Sequence, residues 1–149
     1  MAVGLGLGAK QLKKPWKTVC LMGDGECCEG SVWEAAMSAA HFKLDNIVGI
    51  VDRNRLMIDG CTEDVMALEP FADKWRAFGW NVIEVNGHDL DELDCALDAA
   101  WKAEGKPTLI LANTVKGKGV DFMENNVVYH YASGDSALCE KAKASIMRG

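Results

Sequence analysis

Two polar side chains in this sequence have the types and the spacing needed to bind a metal ion together with a phosphate group. Asp24 lies in Gly23-Asp24-Gly25, directly after a short apolar run, and Asn54 follows the next apolar run 30 residues later (54 minus 24). One carboxylate and one amide oxygen suit a hard divalent cation such as Mg²⁺, which adds water and phosphate oxygens. The glycines have no Cβ, so the backbone can approach a phosphate closely. Taken separately, each polar residue is typical of an ordinary turn or loop; together they favour a metal–diphosphate site.

Both polar residues follow predicted strands. Residues 17–22 and 46–51 are apolar runs that end at turns, and each is interpreted as a buried strand. Between them, Ser31 and Glu34 have the S-x-x-E spacing of a capping box, which predicts that a helix begins at Ser31. A right-handed strand–helix–strand crossover places both strand ends at one edge of the sheet, where such sheets bind ligands. We therefore expect the two polar residues to lie close together.

The rest of the chain repeats the alternation of helices and strands. The predicted elements are a helix over 70–78, a strand over 80–85, a helix from the N-cap Asp89 to Gly105, a strand over 108–115, a long loop over 116–135 and a helix over 136–147. The run at 46–51 does not alternate, which indicates burial on both faces. These patterns predict an α/β, doubly wound domain over residues 1–149, with a mostly parallel sheet and helices on both faces.

The composition of the chain argues against some kinds of binding partner and predicts where in the cell the protein is located. The chain has 149 residues, 49% hydrophobic and 26% charged, and a net charge of -6, which is typical of one globular domain. It has no basic stripe that would favour nucleic acid, and no apolar run of the roughly 20 residues that a membrane span needs. The N-terminus lacks the basic region of a signal peptide. We therefore expect no nucleic-acid or membrane partner and a cytoplasmic location.

The six cysteines do not form a recognisable metal or redox motif. They contain no C-x-x-C pair and no zinc-ligand spacing with the histidines. In a cytoplasmic protein they are expected to be reduced, and most are interpreted as small buried apolar residues.

Several motifs together make the sequence similar to a known family. The Gly-Asp-Gly sequence with its distal Asn resembles the thiamine diphosphate motif, and the details resemble transketolase, specifically the N-terminal, diphosphate-binding half of a transketolase split over two chains. The stretches that carry the resemblance are GDGE (23–26), EGSVWEAA (29–36), AHFKLDN (40–46), DRN (52–54), IDG (58–60), VNGHD (85–89), VKGKGV (115–120) and FMENN (122–126).

The resemblance implies a set of cofactor ligands. Asp24 and Asn54, joined by the backbone carbonyl of Leu56, would bind Mg²⁺, for which Ca²⁺ or Mn²⁺ can substitute. Gly23 and Gly25 would contact the diphosphate of thiamine diphosphate. The implied fold is the diphosphate domain of the thiamine diphosphate-binding fold.

The resemblance also implies two catalytic residues. Glu29 matches a carboxylate that lies at the dimer interface in this family and communicates with the cofactor of the neighbouring site. His130 falls where the family has a histidine that reaches cofactor and substrate from the late loop. An imidazole at that place can shuttle a proton to or from a sugar hydroxyl.

The same resemblance implies that this chain works as a component. Residues 2–10 resemble the end of a helix that follows further upstream sequence in the family, so the domain is expected to be truncated at its N-terminus and to expose apolar surface. The pyrimidine-binding domain, with its catalytic glutamate, is missing from the sequence. The implied partner is a C-terminal transketolase subunit that carries this domain, in a homo- or hetero-oligomer, and the isolated chain is expected to be inactive.

The implied activity is the transfer of a two-carbon ketol unit from a ketose phosphate to an aldose phosphate, as in the pentose phosphate pathway. Two alternatives stay open. One is a related thiamine diphosphate enzyme of the deoxyxylulose-phosphate synthase type. The other is a non-catalytic fragment that serves as a binding or assembly module.

Overall fold

Helices and strands alternate along the chain in the computed structural model, which describes residues 1–131 and 134–148. The elements are α1 (Ala2–Gln11), β1 (Thr18–Gly23), a 3₁₀ helix (Gly25–Cys28), α2 (Gly30–His41), β2 (Ile47–Arg53), β3 (Leu56–Met57), β4 (Gly60–Cys61), α3 (Thr62–Val65), α4 (Phe71–Ala77), β5 (Asn81–Asn86), α5 (Leu90–Lys102), β6 (Thr108–Asn113), a second 3₁₀ helix (Val127–His130) and α6 (Ser136–Ile146). Within the described residues, no helix is both long and apolar enough to cross a membrane.

The central sheet has four parallel strands in the order β1-β2-β6-β5. The register pairs Gly23 of β1 with Asp52 of β2, and Asp52 with Ala112 of β6. Because all the strands run in one direction, their carboxyl ends meet at a single edge. The predicted α/β architecture is confirmed, and so is the expectation that the turn after β1 lies beside the residues that follow β2.

Apolar side chains fill the space on both faces of the sheet. On one face, α2 and α4 pack around Trp75, whose ring centroid lies 5.2 Å from that of Trp33 and 5.0 Å from that of Trp80. On the other face, α5 packs through Ala96 and Ala100. β2 is buried between these two clusters, as its non-alternating apolar run predicted.

β1 differs from the buried strand that the sequence suggested. Val19 is 51% exposed and Leu21 is 70% exposed. The two residues pair in register with Val48 and Ile50, on the face of the sheet that α5 packs against, but the main contacts of α5 are with β5, β6 and β2. Since β1 lies at the edge of the sheet, its apolar strip stays open to solvent. The expected apolar surface is therefore present along this edge.

The start of α2 also differs from the prediction. The helix begins at Gly30, and its N-cap is Glu29, whose extended backbone (φ -75°, ψ 131°) ends the preceding 3₁₀ helix. Ser31 lies in the first turn and donates a hydrogen bond to Glu29 Oε2 (3.3 Å). The predicted capping box at Ser31 and Glu34 is therefore wrong, because the N-cap lies two residues earlier, at Glu29.

The predicted N-cap of α5 is correct, whereas α5 ends at Lys102, before the predicted Gly105, and β6 ends at Asn113, before the predicted residue 115. Asp89 caps α5 through its Oδ1, which accepts hydrogen bonds from the N–H groups of Asp91 (3.0 Å) and Glu92 (3.1 Å). The sequence pattern did not predict the hairpin β3–β4 or the helix α3, because elements of two to four residues are too short to show a period.

Residues 116–126 of the late loop form a series of tight turns. Gly117 has φ +75°, and a Cβ there would lie 2.7 Å from the carbonyl oxygen of Met123, so this turn requires glycine. The N–H of Asn125 donates to the carbonyl of Lys116 (3.0 Å) and closes the turn. The second 3₁₀ helix then carries the chain to His130. Residues 116–129 of the predicted loop are thus joined by backbone hydrogen bonds of their own.

The six cysteines form no disulfide bonds, and they differ in how far their side chains are exposed to solvent. Cys27 is buried, and Cys20, Cys28 and Cys61 are half-buried, whereas Cys95 and Cys139 are exposed. The interpretation as buried apolar residues is correct for Cys27 and wrong for the two exposed cysteines, which lie on the outer faces of α5 and α6.

We expect Cys27 to resist alkylation in the folded chain. Burial, together with the nearby charges of Asp24 and Glu26, raises the pKa of its thiol to about 12. At about pH 8 only about one such thiol in ten thousand is ionised. Mass spectrometry after iodoacetamide treatment should therefore find the exposed Cys95 and Cys139 labelled and Cys27 labelled only after unfolding. Equal labelling rates for Cys27 and Cys95 in the native chain would contradict this burial.

Candidate functional site

A cavity of about 460 Å³ opens at the carboxyl ends of β1 and β2. Its walls come from the turn after β1, the end of β2, the β3–β4 hairpin and the late loop. The lining residues are Gly23, Asp24, Gly25, Glu26, Glu29, Asp52, Asn54, Leu56, Met57, Ile58, Lys116 and His130. Every site residue predicted from the sequence is in this set, so the fold brings all of them to one place.

Asp24 is fixed in the wall of the cavity by three hydrogen-bond donors. Its side chain is 1% exposed. Oδ1 accepts from the N–H of Gly25 (2.8 Å), and Oδ2 accepts from the N–H of Arg55 (2.6 Å) and from Arg53 Nη1 (3.1 Å). The N–H of Asp24 donates to the carbonyl of Asp52 (3.2 Å), which extends the β1–β2 pairing into the turn. The carboxylate is therefore held in one orientation.

Asn54 and Leu56 lie in a tight turn after β2. Asn54 Oδ1 accepts a hydrogen bond from the N–H of Leu56 (3.0 Å), which is the pattern of an Asx turn. Arg55, between them, has φ +65°, a region that few side chains other than Asn and Asp adopt readily. This turn brings the amide oxygen and the next residue of the hairpin to the cavity beside Asp24.

Arg53 lies behind the cavity wall, in contact with Asp24, and sequence reasoning did not identify its role. It is 2% exposed, and its guanidinium donates to four side chains: from Nη1 to Asp24 Oδ2 (3.1 Å) and Thr62 Oγ1 (2.9 Å), and from Nη2 to Glu63 Oε1 (3.1 Å) and Glu69 Oε1 (2.8 Å). We call these five residues the Arg53 cluster. The available signal was a basic residue at the end of an apolar strand, because a buried arginine needs acidic partners.

The charges in the Arg53 cluster reinforce each other. Burial of the guanidinium opposes its charge, but hydrogen bonds to Glu69 and Asp24 prevail and raise the pKa of Arg53 above its usual value. The hydrogen bond from Arg53, with a second from the N–H of Phe71, lowers the pKa of Glu69 below its usual value. The ring of Phe71 lies 5.4 Å from the guanidinium carbon. The cluster thus joins the Asp24 turn to α3 and the start of α4.

The two glycines of the turn do not present free N–H groups to the cavity. The N–H of Gly23 donates to the carboxylate of Glu26, and that of Gly25 donates to Asp24 Oδ1. A Cβ at Gly25 would lie 3.1 Å from the Cβ of Met57. Gly25 therefore permits close packing of the turn against the hairpin, and the expectation that both amides are available for a phosphate is not met in this structure.

Glu29, His130 and Lys116 line the outer part of the cavity. Glu29 is exposed at the N-cap of α2. His130 is exposed at the end of the second 3₁₀ helix, and its ring packs edge-on against Tyr131 at 4.7 Å. Lys116 is half-buried and was treated in the sequence only as part of the loop. It adds a cationic side chain to the cavity wall.

The chemistry of these groups fits a divalent cation bound with a diphosphate. Asp24, Asn54 and Leu56 offer a carboxylate, an amide oxygen and a backbone carbonyl, all hard oxygen donors. The lining includes four carboxylates, those of Asp24, Glu26, Glu29 and Asp52, so a diphosphate without a cation would meet repulsion. Among residues 1–131 and 134–148 no group of three or more His, Cys, Asp or Glu side chains could hold a metal ion. A site with one carboxylate and two neutral oxygens does not need such a group.

Comparison with known proteins gives consistent matches over most of the chain. The family described as "Transketolase, thiamine diphosphate binding domain" matches residues 12–146. One relative, from Phocaeicola vulgatus, is named as a subunit of an apulose-4-phosphate transketolase; it is 44% identical over 142 residues, which cover 95% of this chain and 50% of the relative. The "6-deoxy-6-sulfo-D-fructose transketolase subunit SqwG" of Clostridium sp. is 45% identical over 129 residues, which cover 87% of this chain and 47% of the relative. The chain thus spans about half the length of these curated relatives.

A solved structure shares the fold. The crystal structure of transketolase from Campylobacter jejuni superimposes with a TM-score of 0.90 and 34% sequence identity, and the match covers 98% of this chain and 24% of that chain. The sheet order and the placing of the cavity residues therefore belong to a fold found in a transketolase.

Replacing Glu69 with glutamine should remove a pH-dependent part of the stability. Because the pKa of Glu69 lies below its ordinary value of 4.5 in the folded chain, its contribution is fully present above that value and is lost as the pH falls through the lowered one. We expect Glu69→Gln to reduce the free energy of unfolding by about 1 kcal/mol at about pH 7, since the carboxylate is half-exposed and partly screened, and by much less at about pH 3. Urea unfolding at both pH values measures this difference.

A matched control is Glu104→Gln, which changes a glutamate outside the Arg53 cluster in the same way. An equal loss for Glu69→Gln at both pH values would show that the ion pair with Arg53 does not carry the effect.

Proposed function

The chain belongs to the transketolase family, through its thiamine diphosphate-binding domain, and we propose that it is the diphosphate-binding subunit of a transketolase divided over two chains. The reaction would transfer a two-carbon ketol unit from a ketose phosphate to an aldose phosphate. The observation that carries this proposal is the cavity at the ends of β1 and β2, which gathers Asp24, Asn54, Leu56 and His130. Two relatives named as transketolase subunits support it.

We propose that Mg²⁺ is the metal of this site, with Ca²⁺ or Mn²⁺ as substitutes. Asp24, Asn54 and the carbonyl of Leu56 would hold it, because they are the hard oxygens that converge there. Lys116 would offset part of the negative charge of the diphosphate. Gly23 and Gly25 would keep the turn close to the cofactor. The N–H of Gly23, which donates to the carboxylate of Glu26, would then donate to a phosphate oxygen instead.

The residues of this chain would position the cofactor and move protons. Thiamine diphosphate, when bound, supplies the electron sink that ketol transfer requires. His130 lies at the cavity mouth, where its imidazole would take a proton from a donor sugar hydroxyl and return one to the product. Glu29, exposed beside the same cavity, would act at the interface with a neighbouring protomer.

The proposed partner is a chain that carries the pyrimidine-binding domain. The two relatives named as transketolase subunits support a division of the enzyme between chains. The open apolar strip of Val19 and Leu21 on β1 is consistent with a surface that further polypeptide covers. Either a homo-oligomer or a hetero-oligomer fits these observations.

The names of the relatives favour ketol transfer over the alternative of a deoxyxylulose-phosphate synthase. According to their names, the two relatives act on different sugars, apulose 4-phosphate and 6-deoxy-6-sulfo-D-fructose. The donor sugar of this chain is therefore proposed only as a class, the ketose phosphates.

The test of this function is reconstitution. The chain alone, supplied with Mg²⁺, thiamine diphosphate and xylulose 5-phosphate, should bind the cofactor weakly and show no turnover, because the proposed partner chain would supply the residue that activates the pyrimidine ring. Mixing it with a C-terminal transketolase subunit from the same genome should produce ketol transfer to an aldose phosphate. Full turnover by the isolated chain would overturn the two-chain proposal, and turnover with pyruvate in place of xylulose 5-phosphate would favour the synthase alternative. Absence of cofactor binding even in the mixture would favour the non-catalytic module.

His130 can be tested in the reconstituted enzyme. We expect His130→Gln to lower kcat by about a hundredfold, because proton transfer by a positioned side chain contributes roughly that factor, while the affinity for thiamine diphosphate changes far less. The matched control is His41→Gln, which alters an exposed histidine on α2. A kcat for His130→Gln equal to that of the control would remove His130 from the proton-transfer step.

A further inference from the structure

Arg53 has every terminal hydrogen of its guanidinium in use. Nη1 carries two hydrogens and donates to Asp24 and Thr62, and Nη2 carries two and donates to Glu63 and Glu69. The four acceptors come from three elements or turns, and the side chain is 2% exposed. The guanidinium is therefore held by hydrogen bonds on several sides at once, so that no single partner sets its position.

The hydrogen bonds to Asp24 leave its two oxygens in unequal states. Oδ2 accepts from Arg53 Nη1 and from the N–H of Arg55, so both of its lone-pair positions are in use. Within residues 1–131 and 134–148, Oδ1 accepts only from the N–H of Gly25 and keeps one position open. A cation in the cavity would therefore bind at Oδ1.

We propose that Arg53 is a positioning residue for the metal site, whose guanidinium fixes the rotamer of Asp24 so that Oδ1 is the oxygen left to bind the cation. This inference rests on the proposed function, in which Asp24 is a metal ligand. It assigns Arg53 a role in cofactor affinity in addition to its role in the stability of the fold.

The charge of the Arg53 cluster is suited to this role. A lone guanidinium hydrogen-bonded to a metal ligand would repel the cation. Here Glu63 and Glu69 lie on the far side of Arg53 and supply two negative charges against its one positive charge. Because their carboxylates offset the guanidinium, Arg53 can orient Asp24 with little repulsion of the metal.

A lysine cannot replace the guanidinium in this geometry. An ammonium group is a single point with three donors, whereas the planar fork of arginine reaches acceptors on both of its sides. Lysine at position 53 would keep the charge but lose either the contact to Asp24 and Thr62 or the contact to Glu63 and Glu69. The variant Arg53→Lys therefore separates orientation from charge.

The experiment measures Mn²⁺ affinity by electron paramagnetic resonance in the presence of thiamine diphosphate, for the chain in its reconstituted complex and well below the unfolding temperature of each variant. The variants are Arg53→Met, Arg53→Lys and Asp24→Asn, with Glu69→Gln as the control. Glu69→Gln disturbs the same cluster while keeping the hydrogen bond between Arg53 and Asp24. Thermal unfolding of each variant is recorded in parallel.

We expect Arg53→Met to weaken Mn²⁺ binding by about tenfold or more, the usual effect of losing a group that orients a metal ligand, and Arg53→Lys to weaken it by several-fold. Glu69→Gln should lower the unfolding temperature and weaken Mn²⁺ binding clearly less than Arg53→Met does, since the orientation of Asp24 is kept and only one of the two carboxylates that offset the guanidinium is lost. If Arg53→Met does not fold, Arg53→Lys decides the question.

Three results would overturn the inference. The first is that both Arg53 variants bind Mn²⁺ with the affinity of the unaltered chain. The second is that Arg53→Lys alone keeps full affinity, which would show that the charge and not the orientation matters. The third is that Glu69→Gln loses as much affinity as Arg53→Met. Failure of the unaltered complex to bind Mn²⁺ at all would instead overturn the proposed function, and this inference with it. A loss in Asp24→Asn with none in Arg53→Met would keep the proposed function and remove only the role of Arg53.

Discussion

The rest of the site depends on the hydrogen bonds and ion pairs of the Arg53 cluster. A guanidinium that is 2% exposed has lost its hydration, and this loss is offset only if acidic and polar groups surround it in good geometry. The chain meets this requirement with groups from three places outside β2: the turn after β1, the start of α3 and the segment before α4. Each broken contact removes part of the compensation for the buried charge, so the turn after β1, α3 and the start of α4 are all held by the same guanidinium.

The strand order completes the site from a distance in sequence. β6 lies next to β2 in the centre of the sheet, so the loop that follows β6 emerges at the same edge as the turns after β1 and β2. Thr114 holds the first residues of this loop against β2, because its hydroxyl donates to Asp52 and its N–H donates to the carbonyl of Arg53. The N–H of Val115 donates to His88 Nε2 (2.7 Å). His88, which in the sequence is only part of a motif, therefore helps to hold the loop that brings Lys116 and His130 to the cavity.

The sequence was sufficient to predict the sheet and the convergence of Asp24 with Asn54, because both follow from strand direction and from crossover handedness. It was not sufficient for features decided by tertiary contacts. The four partners of Arg53 are 9 to 29 positions away and follow no period. The start of α2 depended on the extended backbone of Glu29, and propensity alone does not reveal it. The exposure of β1 depended on which strands α5 covers, and an apolar run looks the same at the edge of a sheet as at its centre.

The edge position of β1 has a consequence for handling the protein in solution. In the part of the chain that the structure describes, β1 is hydrogen-bonded to a strand on one side only, and its residues Thr18–Gly23 include no charge and no proline. Natural edge strands are usually protected by such residues, as β5 is by Glu84 at the opposite edge. Two copies of the isolated chain can therefore extend one sheet across their β1 edges. The isolated chain is therefore expected to associate more as its concentration rises.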